Sequence, residues 1–145
     1  MPSLMASSRK ASSRPSASRP STRVLVADDD VEILGLVTRH LSSRGFEVHE
    51  ADDGETALAQ ARKLKPDLVV LDVMMPGMSG WQVCRSIRED SALEDTAVIM
   101  LTGIGERLNE MTSPLYGADA SLDKPFEFGE LDATIDRVLE SPKKA

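Results

Sequence analysis

Leu68-Val69-Val70-Leu71-Asp72-Val73-Met74-Met75-Pro76-Gly77-Met78-Ser79-Gly80 is the stretch whose reading decides the fold. Four consecutive apolar residues, two of them β-branched, stop at a carboxylate. That is the pattern of a strand buried on both faces that delivers one acid at its carboxyl end. Met75-Pro76-Gly77 and Ser79-Gly80 are turn formers, and a helical pattern resumes from Trp81 to Ile87. The chain therefore turns back over the sheet where Asp72 emerges, and in an open parallel sheet that edge is where ligands bind. Capping the next helix is the plain alternative for such an acid. Asp72 lies seven residues before Ser79, too far for an N-cap contact.

Working outward, the same alternation repeats. Val24 to Ala27 is an apolar run that ends in Asp28-Asp29-Asp30, and Ile33, Leu34, Val37 and Leu41 follow at helical spacing. Gly45 ends that helix, Phe46 to Ala51 alternates as an edge strand does, and Asp53-Gly54 makes a turn. Ala57, Leu58, Ala61 and Leu64 form a second helix that Pro66 stops. Beyond the third helix, Ala97 to Leu101 is another buried run, closed by Thr102-Gly103. A fourth helix between Glu106 and Tyr116 has few apolar positions and contains Pro114, so it is expected to be short. Ala120 to Leu122 is a brief edge strand before Asp123-Lys124-Pro125-Phe126, and Leu131, Ile135 and Val138 face a fifth helix to the core. Strand and helix alternate five times. This predicts an α/β fold with a five-stranded parallel sheet of order 2-1-3-4-5 and helices on both faces, a flavodoxin-like (βα)5 three-layer sandwich.

The chain of 145 residues has room for one domain with a core of its own. Cys84 is the only cysteine, which excludes a CxxC redox pair or a cysteine zinc cluster and fits a reducing, cytoplasmic setting. No apolar export segment or membrane-spanning run is present. Residues 1–22 form a Ser/Arg/Pro-rich tail expected to be disordered, and residues 1–23 hold Arg9, Lys10, Arg14, Arg19 and Arg23 but no acid. Without those five charges, the remainder holds 12 basic against 24 acidic residues. So acidic a body argues against nucleic acid as the main partner.

In this order of strands, Asp28 and Asp29, Asp72, Thr102 and Lys124 all fall at one sheet edge. Clustered carboxylates need a counter-charge, and a hard divalent cation such as Mg²⁺ supplies one. Lys124 offers a mobile point charge suited to a phosphoryl oxygen, and Thr102 a hydroxyl donor. A carboxylate is itself able to act as nucleophile and form an aspartyl-phosphate. Singly, each residue has an ordinary explanation: Asp29 as a helix cap with Glu32 three residues on, Thr102 as a strand residue, Lys124 as a solvated charge. Their shared position at the strand ends is what gives the set meaning.

The chain resembles the receiver domain of two-component response regulators. The resemblance rests on VADDD at 26–30, ADDGETAL at 51–58, the stretch quoted first, VIMLTG at 98–103 and GADASLDKPF at 117–126, all in family order. It implies a receiver domain over residues 23–141 with a short C-terminal tail at 142–145. It implies Asp72 as phosphoacceptor, Mg²⁺ held by Asp28, Asp29, Asp72 and the backbone carbonyl of Met74, and phosphoryl contacts from Thr102 and Lys124. A cis Lys124–Pro125 peptide would aim the lysine. The implied donor is a phosphohistidine on a sensor histidine kinase or a histidine phosphotransfer protein, and the function is to relay the signal to a separate partner rather than to act as an enzyme.

Two positions depart from the family. The aromatic usually found three residues before the lysine is Ser121 here, and Pro114 lies in the helix that commonly shapes the output face, so a different switch is expected. Only Ser-Pro-Lys-Lys-Ala follows the fifth helix, which predicts a stand-alone domain without nucleic-acid or membrane contacts of its own. Two rivals fit less of the chain. A phosphatase of the haloacid dehalogenase type would use Asp28 as nucleophile, but Asp28 to Glu32 lacks the expected hydroxyl residue. A receiver-like scaffold that is never phosphorylated would have no use for the intact acidic set. His40 and His49 give no metal spacing and read as structural or exposed, while Cys84 reads as a half-buried, inert thiol.

Overall fold

Residues 21–103 and 117–140 are described by the computed structural model. Within them five strands alternate with helices: β1 (Arg23–Ala27), α1 (Val31–Ser43), β2 (Glu47–Ala51), α2 (Gly54–Leu64), β3 (Leu68–Asp72) and α3 (Gly80–Glu89) come first. A single 3₁₀ turn at Ser91–Leu93, then β4 (Ala97–Thr102), β5 (Ala120–Asp123) and α4 (Phe128–Glu140) complete the order. The helix expected between Glu106 and Tyr116, with Pro114, lies outside the described residues, as do most of the N-terminal tail and residues 141–145. The C-terminal helix is therefore α4 here.

The sheet has the expected order β2-β1-β3-β4-β5, and every adjacent pair is parallel. All residues of β3 and β4 are buried, because helices cover both of their faces. Side-chain alternation splits the core in two. Leu25, Ala27, Val69, Leu71, Val98 and Met100 pack with Ala57, Ala61, Val83 and Ile87 of α2 and α3. Val24, Val26, Leu68, Val70, Ile99 and Leu101 pack with Leu34, Val37 and Leu41 of α1 and Leu131, Ile135 and Val138 of α4. These are the three predicted layers.

Three local readings are refined. The cap of α1 is Asp30 rather than Asp29; its carboxylate accepts from the Glu32 and Ile33 amides. Asp53-Gly54 is a helix start rather than a free-standing turn, with Asp53 accepting from the Thr56 amide. At the end of α2, Lys65 is left-handed (φ 48°), since Pro66 disfavours the helical conformation in the residue before it. Cys84 is fully buried rather than half-buried, and burial pushes its thiol up to about 12. The histidines are structural, as read: His40 bonds Asp132 at 2.8 Å and stacks on Phe128, and His49 bonds Glu47 at 2.7 Å.

Candidate functional site

The site is assembled from strand ends. Asp28 directly follows β1, its amide bonded to the Ala51 carbonyl of β2 at 3.1 Å, so both strands fix it. Asp72 is the last residue of β3, and the next amide, Val73, is tied to the Leu101 carbonyl of β4 at 3.1 Å. Lys124 follows β5, its amide bonded to the Thr102 carbonyl at 2.7 Å. Helix α3 presses on this edge so closely that a Cβ at Gly80 would collide with the Asp72 carbonyl. The Gly80 amide donates to the Val73 carbonyl at 2.8 Å, locking the loop between Asp72 and α3. A Cβ at Gly54 would meet the Met78 carbonyl in the same way, which pins the start of α2 against that loop.

Four of the expected side chains meet. Lys124 Nζ donates to Asp72 Oδ1 at 2.6 Å and stands 3.2 Å from Asp28 Oδ2. Asp28 is fully buried and Asp72 is 4% exposed, while Asp29 is exposed at the mouth. Asp28 Oδ1 accepts from the Asp30 amide at 2.9 Å. The lysine contact to the other oxygen lacks hydrogen-bond geometry, so Asp28 Oδ2 is buried without a hydrogen bond. Such an oxygen carries a desolvation cost that a ligand can relieve.

Charge follows from this packing. Burial pushes the Asp72 carboxyl up to about 6, with the Lys124 hydrogen bond pulling it down and the Asp28 charge adding to the rise. Burial likewise holds Asp28 above the usual carboxylate range. For Lys124 burial works toward a lower value, but its bond to Asp72 and the charges of Asp72 and Asp28 outweigh that and raise it. The capped N-termini of α1, α2 and α3 also begin at this edge and favour negative charge there.

One oxygen from each of Asp28, Asp29 and Asp72 lies within 4.8 Å of the others, the only such acidic or metal-ligating group of three among the described residues. Hard oxygen donors, one of them buried without a hydrogen bond, fit a small hard cation such as Mg²⁺. Met74, two residues beyond Asp72, is 62% exposed at the rim.

Thr102 reaches the edge but turns toward its neighbour strand. Its hydroxyl donates to Asp123 Oδ1 at 3.2 Å and more weakly to the Leu122 carbonyl at 3.4 Å. Ser121 pairs with Met100, two residues back along β5 from Asp123. The Lys124–Pro125 peptide is cis, as the resemblance implies. Sequence reasoning missed Asp30, Gly80 and Asp123 as parts of the site. Ser/Asp before a helical run signals the first, and Gly opening a helix after a turn signals the second. Asp123 carries no comparable signal, because its partner lies on another strand.

The response regulator receiver domain matches residues 24–136, and the chain belongs to that family. Receiver domains bind Mg²⁺ in an acidic pocket and take phosphate from histidine kinases; here Asp28, Asp29 and Asp72 form an acidic cluster whose spacing could hold a metal ion. Among relatives, the chain is 42% identical over 123 residues to the "Probable transcriptional regulator ycf27" of Guillardia theta, covering 85% of this chain and 47% of that protein. It is 38% identical over 117 residues to the DNA-binding dual master transcriptional regulator RpaA of Synechocystis, covering 81% of this chain and 48% of RpaA. The chain thus spans about half the length of the curated relatives it matches. Among solved structures, the chemotaxis response regulator CheY4 of Vibrio cholerae superposes with a TM-score of 0.76 at 35% identity, covering 81% of this chain and 98% of CheY4.

Proposed function

We propose that Asp72 accepts a phosphoryl group from a phosphohistidine on a sensor histidine kinase or a histidine phosphotransfer protein. The observation that carries this reading is the Asp72 carboxylate, almost fully buried yet hydrogen-bonded to Lys124 and clustered with Asp29 and with Asp28, whose Oδ2 is buried without a hydrogen bond. Asp28, Asp29, Asp72 and the Met74 carbonyl would hold Mg²⁺, which when bound neutralises charge on the phosphoryl oxygens. An Asp72 oxygen attacks phosphorus in line, a phosphorus–oxygen bond forms, and the phosphorus–nitrogen bond to the imidazole breaks. The leaving imidazole nitrogen keeps the electron pair and takes a proton from solvent. Lys124 moves from the free carboxylate to a phosphoryl oxygen, and Thr102 offers its hydroxyl to another.

The signal would then pass by conformational change to a separate partner. Acidic composition favours a protein partner for the described surface. DNA binding belongs by name to RpaA. No described helix is long and apolar enough to cross a membrane. Incubation with Mg²⁺ and acetyl phosphate, read by intact mass, tests the proposal. One phosphoryl mass should appear on the wild-type chain and none on Asp72→Asn, whereas undiminished labelling of that variant would move the nucleophile to another acid, Asp28 first.

A further inference from the structure

Asp123 stands opposite Thr102 in the parallel register of β4 and β5, and its carboxylate accepts the Thr102 hydroxyl at 3.2 Å. Thr102 is fully buried and Asp123 is exposed, so the bond runs from the inside of the sheet edge to its surface. A threonine hydroxyl has one proton to donate. Donation to Asp123 and donation to a phosphoryl oxygen on Asp72 therefore exclude each other.

We infer that Asp123 is a positioning residue, whose carboxylate holds the Thr102 hydroxyl on β5 and sets how readily it transfers to a phosphoryl group. The inference rests on the reading of Asp72 as phosphoacceptor. Ser121 lies on the same face of β5, two residues earlier, where the family usually carries an aromatic. Transfer of the hydroxyl would take the Thr102 bond away from Asp123 at the exposed edge. The bond is long for O–H···O and its acceptor is exposed, so the restraint is modest.

Trp81 gives the test a reporter: it is the only tryptophan, it is buried, and it follows Gly80 at the start of α3. Titration with beryllofluoride in Mg²⁺, followed by its fluorescence, measures affinity for a phosphoryl mimic. Asp123→Ala should tighten binding about three- to tenfold more in the Thr102 background than in Thr102→Ala. Asp123→Asn, which keeps an acceptor without the charge, should fall between, and Asp123→Glu should return toward wild type. Equal tightening in both backgrounds would reduce Asp123 to general charge repulsion and overturn the inference, as would no change in either. A wild-type chain that ignores beryllofluoride, or Asp72→Asn that binds it equally well, would instead overturn the phosphoacceptor reading beneath it.

Discussion

The two edges of the sheet handle charge in opposite ways. At the amino edge, Arg88 of α3 divides its guanidinium among the Gly117 carbonyl (2.7 Å), the Thr96 carbonyl (2.8 Å) and Asp119 (2.7 Å). Asp119 in turn accepts the Val98 amide at 2.8 Å. Arg23 does the same for its side, reaching Glu47 at 2.9 Å and the Leu64 carbonyl at 2.8 Å, while its amide is held by Asp67. At the carboxyl edge, three acids cluster, two of them share one lysine, and a buried oxygen of Asp28 has no hydrogen bond. A rigid guanidinium fork fixes several groups at once, whereas a single ammonium on a flexible stem can change partners. The amino edge is thus built to hold the strands, and the carboxyl edge keeps an electrostatic deficit that a cation and a phosphoryl group would fill.

The contrast breaks most sharply under substitution of one residue at each edge. Asp72→Asn should abolish acetyl phosphate labelling while leaving the urea midpoint near or above wild type. Arg88→Ala should do the reverse, with labelling retained and stability down by about 2–4 kcal/mol, because carbonyls of Gly117 and Thr96 and the Asp119 carboxylate lose a shared donor. Loss of labelling in Arg88→Ala at a temperature where it stays folded would mean that the two edges are not independent.

A pH series sharpens the same point. The folded Asp72 carboxyl sits at about 6, above its ordinary 3.8. The folded state therefore binds more protons than the unfolded chain between those values, and stability should fall as pH rises through that window. In metal-free buffer the loss should be on the order of 2–3 kcal/mol, and Asp72→Asn should flatten it. Added Mg²⁺ should reduce the slope by stabilising the ionised carboxylates. Urea midpoints at several pH values, with and without Mg²⁺, check the sign; a rise in metal-free stability across the window would contradict the burial argument.

The smallest effect belongs to neither edge. Arg85 and Glu89 pair at 3.2 Å on the surface of α3 with both side chains about two-thirds exposed. Glu89→Gln should change stability by less than about 0.5 kcal/mol and leave labelling untouched. A larger change would show that surface charge, and not the packing of the edges, dominates the stability differences above.

What the sequence determined by itself was every feature with a local signature. Continuous apolar runs marked β3 and β4 as central, spacing marked α1 and α2, and acids and a lysine at strand ends marked Asp28, Asp72 and Lys124 as members of one site. Those readings needed only periodicity and turn chemistry, which act over a few residues. The tertiary structure decided the rest, because distances between residues on different strands depend on register and on how closely helices approach. Asp28 Oδ2 is left without a hydrogen bond because β1, β3 and β5 bring Lys124 nearer to Asp72, at 2.6 Å against 3.2 Å. The Thr102 hydroxyl turns to Asp123 because β4 and β5 pair those two residues directly. Gly80 matters because α3 lies against the Asp72 carbonyl with no room for a Cβ. None of these contacts joins residues that are near in sequence, so no periodicity announces them.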